Sequence, residues 1–366
     1  MSTITYYIIA CVIALPAIHI YTPETPFDIR ELWQDGTIIV SEPGQEPIEL
    51  EARIRGRGHS TWFSGPDKRP LRFRLAEPST VLASENEAIN WILLADNFDR
   101  SLMRNYFTLT LANRLDGLSF TPIPQHLQLY VNGEYMGVYL LTDERDNDQG
   151  RMSLEWNSDP ALSCFLVELD STGEGFVVHG LQYDFRYPSG RRLTQDHIDY
   201  AQAHVQRVSN AIRSQDFDEI SRLIDLPSFI DFYIVQELTA NIDVHLRSVF
   251  MHISDNGNGR RLFKGPVWDF DLALGNKTGQ TLGHSPEHLY AGVVNYWYRY
   301  LLGVPEFSEA VTLRWNEIVN VEIADSIIHI SRKALRYQAD FERNFERHPI
   351  LGVDVYLIGL RKRFGK

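Results

Sequence analysis

The chain has 366 residues, 44% hydrophobic and 12% aromatic, enough for a sizeable core in one large unit or two domains. Aspartate and glutamate number 48 against 35 lysines and arginines, a formal net charge of −13. That balance opposes general binding to phosphate backbones, so no nucleic-acid partner is expected, and it suits a soluble or secreted protein.

Cys11 and Cys164 have neither zinc-site nor disulfide-framework spacing, which leaves the redox compartment open. From Tyr6 to Ile20 the chain is apolar and long enough for the core of a signal peptide, but "MSTIT" lacks a positive charge and no small-x-small cleavage site follows. Residues 1–15 therefore read as an apolar start, with a signal remnant one interpretation. From Pro16 onward "PAIHIYT" alternates like a first strand. Pro16, His19 and the polar "TPET" leave too short a run for a membrane span.

The region 16–190 is strand-like. "IELEARIRGRG" and "RPLRFRL" alternate apolar and charged residues, and "HLQLYVNGEYMGVYLLTDE" reads as two strands joined through Asn132-Gly133, a strong hairpin signal. Among them "DRSLMRNYFTLTLANRL" places Leu102, Tyr106 and Leu109 at helical spacing, with Asp99 or Ser101 as its N-cap. After the extended "FLVELDSTGEGFVV" the pattern turns helical at about Thr194. The stretches around 194–214, 226–242 and 308–348 carry helical periodicity. The fold expected is α+β: one domain over 16–366, with an antiparallel-sheet-rich lobe (16–190), a mainly helical lobe (191–366), and a cleft between them.

Several polar motifs interrupt this pattern. "RIRGRGHSTW" ends a strand in closely spaced glycines and arginines; glycine permits close backbone approach and arginine suits phosphate oxygens, so Arg57 is a candidate for phosphate contact. The competing interpretation is a hairpin turn with solvated arginines. Lys68, before "RPLRFRL", is a second positive candidate or an ordinary surface lysine. "VQELTANIDVHLRS" ends a helix and places Asp243 in the loop that follows. In "RLFKGPVWDFDLALGN", Asp269 and Asp271 lie in an apolar setting, where buried carboxylates require pairing, hydrogen bonds or a cation. The segments between them read as a hairpin that brings Asp243 near Asp269. Protein kinases use such a layout for a catalytic aspartate and a metal-holding aspartate, whereas a helix cap and a structural hydrogen-bond network explain the same spacing. A glycosidase pair is disfavoured, because Asp269 and Asp271 on one strand would face the same side.

Taken together and in order, "LPAIHI", "RIRGRGHSTW", "DKRPLRFRL", "WILLADNFDRSLMRN", "YVNGEYMGVYLLTDE", "FLVELD", "RYP", "FIDFYIVQELTANIDVHLRS" and "KGPVWDFDLALGN" resemble the spore coat protein H (CotH) family of atypical kinases. The resemblance implies a kinase-like two-lobed architecture and Mg²⁺-dependent transfer from ATP to Ser or Thr of a secreted, cell-surface or spore-coat protein, a cytoplasmic location not being excluded. Mn²⁺ or Ca²⁺ are alternative metals. It implies Asp243 as the catalytic aspartate and Asp269, with Asp271, as metal ligands. Lys68 and Arg57 then serve the ATP phosphates, with Glu168 as partner to Lys68. The chain departs from the family at His59 for Asn, Asp143 for Glu, Asp271 where relatives often carry Asn, and Ser248 near the place of a second metal-holding Asn. These departures support a second function class, a kinase-like pseudoenzyme acting as a coat or surface binding module.

Overall fold

The computed structural model describes residues 14–349 apart from 65–67, 83, 85–86, 146–150, 171–172, 258 and 277–287. The apolar start up to residue 13 and the chain beyond residue 349 lie outside the described residues. The protein is α+β, with most strands before residue 190 and most helices after it.

Seven strands form a closed barrel in the order β1-β2-β3-β4-β5-β7-β6. They are β1 (Ala17–Tyr21), β2 (Gln34–Ser41), β3 (Ile48–Gly56), β4 (Leu71–Ser79), β5 (Ala88–Leu94), β6 (Gln125–Val131) and β7 (Glu134–Asp143). The alternation visible in the sequence decides which side chains fill the barrel: Ile18, Ile20, Ile38, Ile54, Phe73, Leu93 and Leu129 are buried inside, while their neighbours point out. At the β6–β7 hairpin Asn132 and Gly133 take φ of 50° and 84°, the left-handed pair that a tight hairpin turn needs. Closure comes from parallel pairing of β1 with β6, Ile18 opposite Leu129. Two short helices interrupt the barrel strands, α1 (Ser60–Ser64) and α2 (Arg104–Ala112).

A second, antiparallel sheet has the order β12-β11-β8-β10-β9, built from β8 (Phe165–Leu169), β9 (Gly175–Val178), β10 (Leu181–Tyr187), β11 (Val249–Asp255) and β12 (Arg260–Lys264). The hairpin expected between Asp243 and Asp269 is β11–β12. Because β11 pairs with β8, this sheet joins strands from either side of residue 190, so a sheet-rich half followed by a helical half describes the order of elements along the chain and not two separate layers. Helices α3 (Gln195–Ser214), α4 (Phe217–Leu223), α5 (Leu226–Thr239), α6 (Ala291–Val294) and α7 (Tyr296–Leu301) follow. Their apolar faces share one core with the inner face of the second sheet, including Phe165, Val205, Phe229, Ile253 and Trp297. Next come α8 (Pro305–Ile318), a π-helical turn (Val319–Ile323), α9 (Ala324–Arg336) and α10 (Gln338–Arg347). Among the described residues no helix is long and apolar enough to cross a membrane.

A smaller cluster joins the two sheets. Ile92, Leu94 and Leu140 from the outer wall of the barrel pack with Leu166 and Phe250 of the second sheet and with Trp268. Strands β5 and β7 are thus buried on both faces, which explains why "WILL" and "VYLL" read as continuous apolar runs.

Buried histidines, His126, His204 and His252 among them, weaken the fold in acid. Burial lowers the pKa of His252, stacked on Phe263 at 4.7 Å, to about 4, and that of His126 to about 3. A folded-state pKa below the unfolded value near 6.5 means that the unfolded chain binds more protons, so stability falls as pH drops through 6.5 toward 4, by about 1.4 kcal/mol per pKa unit and site. The raised carboxyls of Asp96, Asp271 and Glu168 act in the opposite sense over the same range, so the test is a difference between two proteins: His252→Phe should lose less stability than the unaltered chain between pH 6.5 and 4.5, and equal slopes in their thermal melts would contradict it.

Candidate active site

Trp268 is buried in the cluster between barrel and second sheet, and the residue after it takes an uncommon backbone conformation: Asp269 has φ of 69°. A left-handed turn at a non-glycine residue requires surrounding contacts to hold it, and here they are present. The Ser248 hydroxyl donates to Asp269 Oδ2 at 3.2 Å, and Asn241 Nδ2 donates to the Asp269 carbonyl at 3.5 Å. The Phe270 N–H donates to Asn105 Oδ1 at 2.7 Å, and the amide of the same Asn105 donates to Asp96 Oδ1 at 2.7 Å. The turn leaves Asp269 half-buried, with Phe270 and Asp271 buried behind it.

The Asp243 loop is fixed to the same place. Helix α5 starts at the cap of Asp225, which accepts from Ser228 N, and ends at Ala240 with φ of 44°. Asn241 Oδ1 accepts from the Asp243 N–H at 3.2 Å, so a single buried side chain links the Asp243 loop to Asp269. Asn295 Nδ2 donates to the Val244 carbonyl at 2.7 Å and holds the loop from the other side.

One flank of Asp269 is acidic. Asp271 is raised well above the ordinary carboxylate range by burial, then by Asp269, Asp96, Asp99 and Asp243. Asp96 is pushed up by burial and by Asp99. Asp99 is fully buried and accepts from the N–H groups of Ser101 and Arg104, both at 2.8 Å, and from the Arg104 guanidinium; it organises the start of α2 from ahead of the helix, while the N-cap position is Met103, without a side-chain cap bond, and not Asp99 or Ser101 as the sequence suggested. Arg104 Nε donates in turn to the Ala273 carbonyl at 3.0 Å, and Asn276 Nδ2 bridges the Phe98 and Asp271 carbonyls at 2.8 and 2.6 Å. The loop after β5 and the segment after Asp269 are therefore one hydrogen-bonded unit. Among the described residues no three His, Cys, Asp or Glu side chains converge to hold a metal by themselves.

The other flank is cationic. Arg145 lies 4.1 Å and Arg57 5.7 Å from the Trp268 ring centre. Glu144 is shared between Arg72 at 3.2 Å and Arg145 at 3.4 Å. Its own burial pushes its pKa up, but Arg145, Arg72 and Arg57 more than offset that and hold it below the usual range. Burial lowers Arg57 to about 10, aided by Arg145 and opposed by Glu144 and Asp269.

Of the residues singled out in the sequence, Arg57, Asp243, Asp269 and Asp271 share this region. Lys68 lies on the acidic flank. Its Nζ donates to the Val138 carbonyl at 2.6 Å; burial pulls its pKa down, and the carboxylates that oppose this are Asp96 and Asp99. Glu168 on β8 is hydrogen-bonded to Arg186 Nε at 2.6 Å and lies in the field of Arg145; the charges that reach Lys68 are aspartates and not this glutamate. The glycines of "RGRG" have other duties than admitting a ligand. A Cβ on Gly56 would lie 2.2 Å from the Trp62 ring, and Gly58 has φ of 82°. Asp143 is buried in an ion pair with Arg151 at 3.4 Å, and His59 is exposed. Sequence reasoning gave no role to Asn105, Asp96, Arg72 or Glu144, although "LADNFDRSLMRN" and "TDER" already showed polar groups beside buried runs.

Asn105 is the side chain on which this geometry is most testable. Asn105→Leu keeps the volume but leaves the buried Phe270 N–H and Asp96 without partners, at about 1–3 kcal/mol per unsatisfied group. Urea denaturation should show a loss within that range or larger, and a loss under about 0.5 kcal/mol would contradict the bridging role, because that is the ordinary scatter of surface substitutions.

No curated protein matches the chain. The family model described as CotH kinase protein matches residues 52–351, which take in both flanks of the site, the Asp243 loop and Asp269. The chain belongs to the CotH kinase family.

Proposed function

We propose that the protein is an atypical Ser/Thr protein kinase that transfers the γ-phosphoryl group of ATP, with Mg²⁺, to a hydroxyl of a secreted, coat or cell-surface protein. In this proposal the barrel and the helical layer serve as the two lobes of a kinase-like plan. Beyond family membership, the observation that carries it is the position of Asp269 between a cluster of aspartates and a cluster of arginines. Phosphoryl transfer needs positioning and charge neutralisation more than covalent chemistry, and these two flanks supply opposite halves of that requirement.

The donor set fits Mg²⁺. Hard carboxylate oxygens suit it, and it characteristically uses one or two carboxylates and completes its shell with phosphates and water, so no cage of three side chains is needed. The upward displacement of Asp271 reflects crowded negative charge that a divalent cation would relieve. Asp269 and Asp271 would hold the metal, and Mn²⁺ or Ca²⁺ could occupy the same oxygens. Bound there, the metal would neutralise charge on the transferring phosphate. Arg57 would contact the phosphates from the cationic flank, and Lys68 would add positive charge from beside Asp96 and Asp99. Glu168, through Arg186 and the field of Arg145, would orient that flank. Asp243, in the loop tied to Asp269 by Asn241, would accept the hydrogen bond of the acceptor hydroxyl and direct its oxygen.

One observation favours the second class, a catalytically weak kinase-like scaffold. Ser248 stands where a second metal-holding amide is expected, and its hydroxyl is bonded to an Asp269 oxygen. Ser248→Asn therefore separates the two classes: faster transfer with unchanged fold marks a kinase weakened at this position.

The aspartates should fail differently. Asp269→Ala should abolish both metal-dependent ATP binding in calorimetry and transfer from γ-labelled ATP, whereas Asp243→Ala should keep Mg²⁺-ATP bound and lose transfer by orders of magnitude. Normal Mg²⁺-ATP binding by Asp269→Ala would sink the metal assignment. Arg57→Ala should weaken ATP by about 1–3 kcal/mol with the fold intact. Because protons compete with the metal for the raised Asp271 carboxylate, Mg²⁺ affinity should rise with pH across the acid-to-neutral range, and Asp271→Asn should flatten that rise.

A further inference from the structure

On β3 and β4 the outward face carries an unusual arrangement of charge. Ile54, Phe73 and Leu75 point into the barrel, so Arg53, Arg55, Arg72 and Arg74 point out. The register sets Arg53 opposite Arg74 and Arg55 opposite Arg72, two successive like-charge cross-strand pairs. Such pairs destabilise a sheet, and a chain of net charge −13 had no shortage of acidic residues with which to break them. Arg57 continues the row at the Trp268–Asp269 end. Trp33 stands among them, its ring centre 5.0 Å from Arg55, 5.6 Å from Arg72 and 5.7 Å from Arg53, and it orders the guanidiniums side by side.

Internal counter-ions neutralise this row only in part. Glu144 serves Arg72 and Arg145, and with Glu31 it sets negative charge near Arg55. Asp35 meets Arg53 at 3.2 Å, but both side chains are largely exposed, and a pair of that kind contributes little. Arg74 makes no ion pair among the described residues. At the outer end of the row lies an open concavity of about 660 Å³, lined in part by Arg53, Arg74, Asp35 and Glu51.

The spacing identifies the ligand. Alternate residues of a strand are about 7 Å apart, so Arg57, Arg55 and Arg53 span about 13 Å. A triphosphate bound at Asp269 and Arg57 is too short to reach Arg53. An extended polypeptide has the same repeat as the strand beneath it, so acidic side chains at alternate positions meet successive arginines. Asp35 and Glu51 in the concavity repel any anion, a continuous phosphodiester at every step, whereas a peptide can meet them with its N–H groups or with a lysine placed between its acids.

We infer that the outward face of β3 and β4 is a docking track for an extended acidic segment of the acceptor polypeptide, bearing Asp, Glu or phosphoserine at alternate positions and leading along Arg74, Arg53 and Arg55 to the hydroxyl that reacts at Asp269. The inference rests on the kinase function for the last step only; the track itself is a binding surface.

The test uses fluorescently labelled peptides of alternating Glu-Ser, Gln-Ser and Lys-Ser, with anisotropy at low and high salt, and the variant Arg53→Gln/Arg74→Gln. The wild-type chain should bind Glu-Ser most tightly, with affinity falling as salt rises, and the double variant should lose about tenfold per guanidinium contact removed. ATP affinity should stay unchanged in the variant, and its melting temperature should hold or rise, because a repulsive pair has been removed. Equal binding of Glu-Ser and Gln-Ser, or wild-type affinity in the variant, would overturn the inference. So would arginine-dependent binding of oligothymidylate as tight as that of the peptide, or a loss of ATP affinity without loss of peptide. Arginine-dependent peptide binding by a wild-type chain that transfers no phosphate from ATP would leave the track standing and remove the kinase function instead.

Discussion

The site depends on one buried side chain and the turn that follows it. Trp268 fills the space between the barrel wall and the second sheet, touching the cluster of Ile92, Leu140, Leu166 and Phe250. Its burial carries the backbone to the boundary between the two sheets, and the left-handed turn at Asp269 then directs a carboxylate outward while Phe270 returns to the core. Every element of the site is registered against that step: the Asp243 loop through Asn241, α2 through Asn105, and the hairpin through Ser248. A left-handed turn at a non-glycine residue needs compensation, and three separate side-chain hydrogen bonds provide it here.

The charges are arranged to the same plan. Aspartates collect on the α2 side and arginines on the barrel side, and the aromatic faces of Trp268, Phe250 and Trp33 hold the guanidiniums in place. An overall excess of acid coexists with a concentrated basic face, so long-range repulsion of polyanions and short-range attraction for one suitably spaced anionic segment are compatible. The same field that raises Asp271 makes the acidic flank avid for a cation.

Much of this was legible in the chain. Alternation in "IELEARIRG" and "RPLRFRL" identified β3 and β4, and Asn132-Gly133 identified the β6–β7 turn, because these are local steric and solvation effects. The β11–β12 hairpin placed Asp243 beside Asp269 for the same reason. Closure of the barrel was not legible, since it rests on β1 pairing with β6 across more than a hundred residues, and no local pattern encodes a parallel partner. Nor was the placement of Lys68 in the field of Asp96 and Asp99, or the pairing of Glu168 with Arg186, because charged side chains choose partners by tertiary proximity. Gly56 looked like room for a ligand and is room for an indole ring. Asn105 was invisible as a functional residue because an amide in a helical pattern carries no sign of what its two ends will meet.

The most direct test of the central claim is a crystal structure of the chain with Mg²⁺ and a non-hydrolysable ATP analogue. The metal should lie on Asp269, the phosphates should run toward Arg57 and the Glu144 arginines, and the Asp243 carboxylate should face the terminal phosphate across an open approach. A nucleotide bound away from Trp268, or a metal held by Asp96 and Asp99 with Asp269 turned to solvent, would contradict the account.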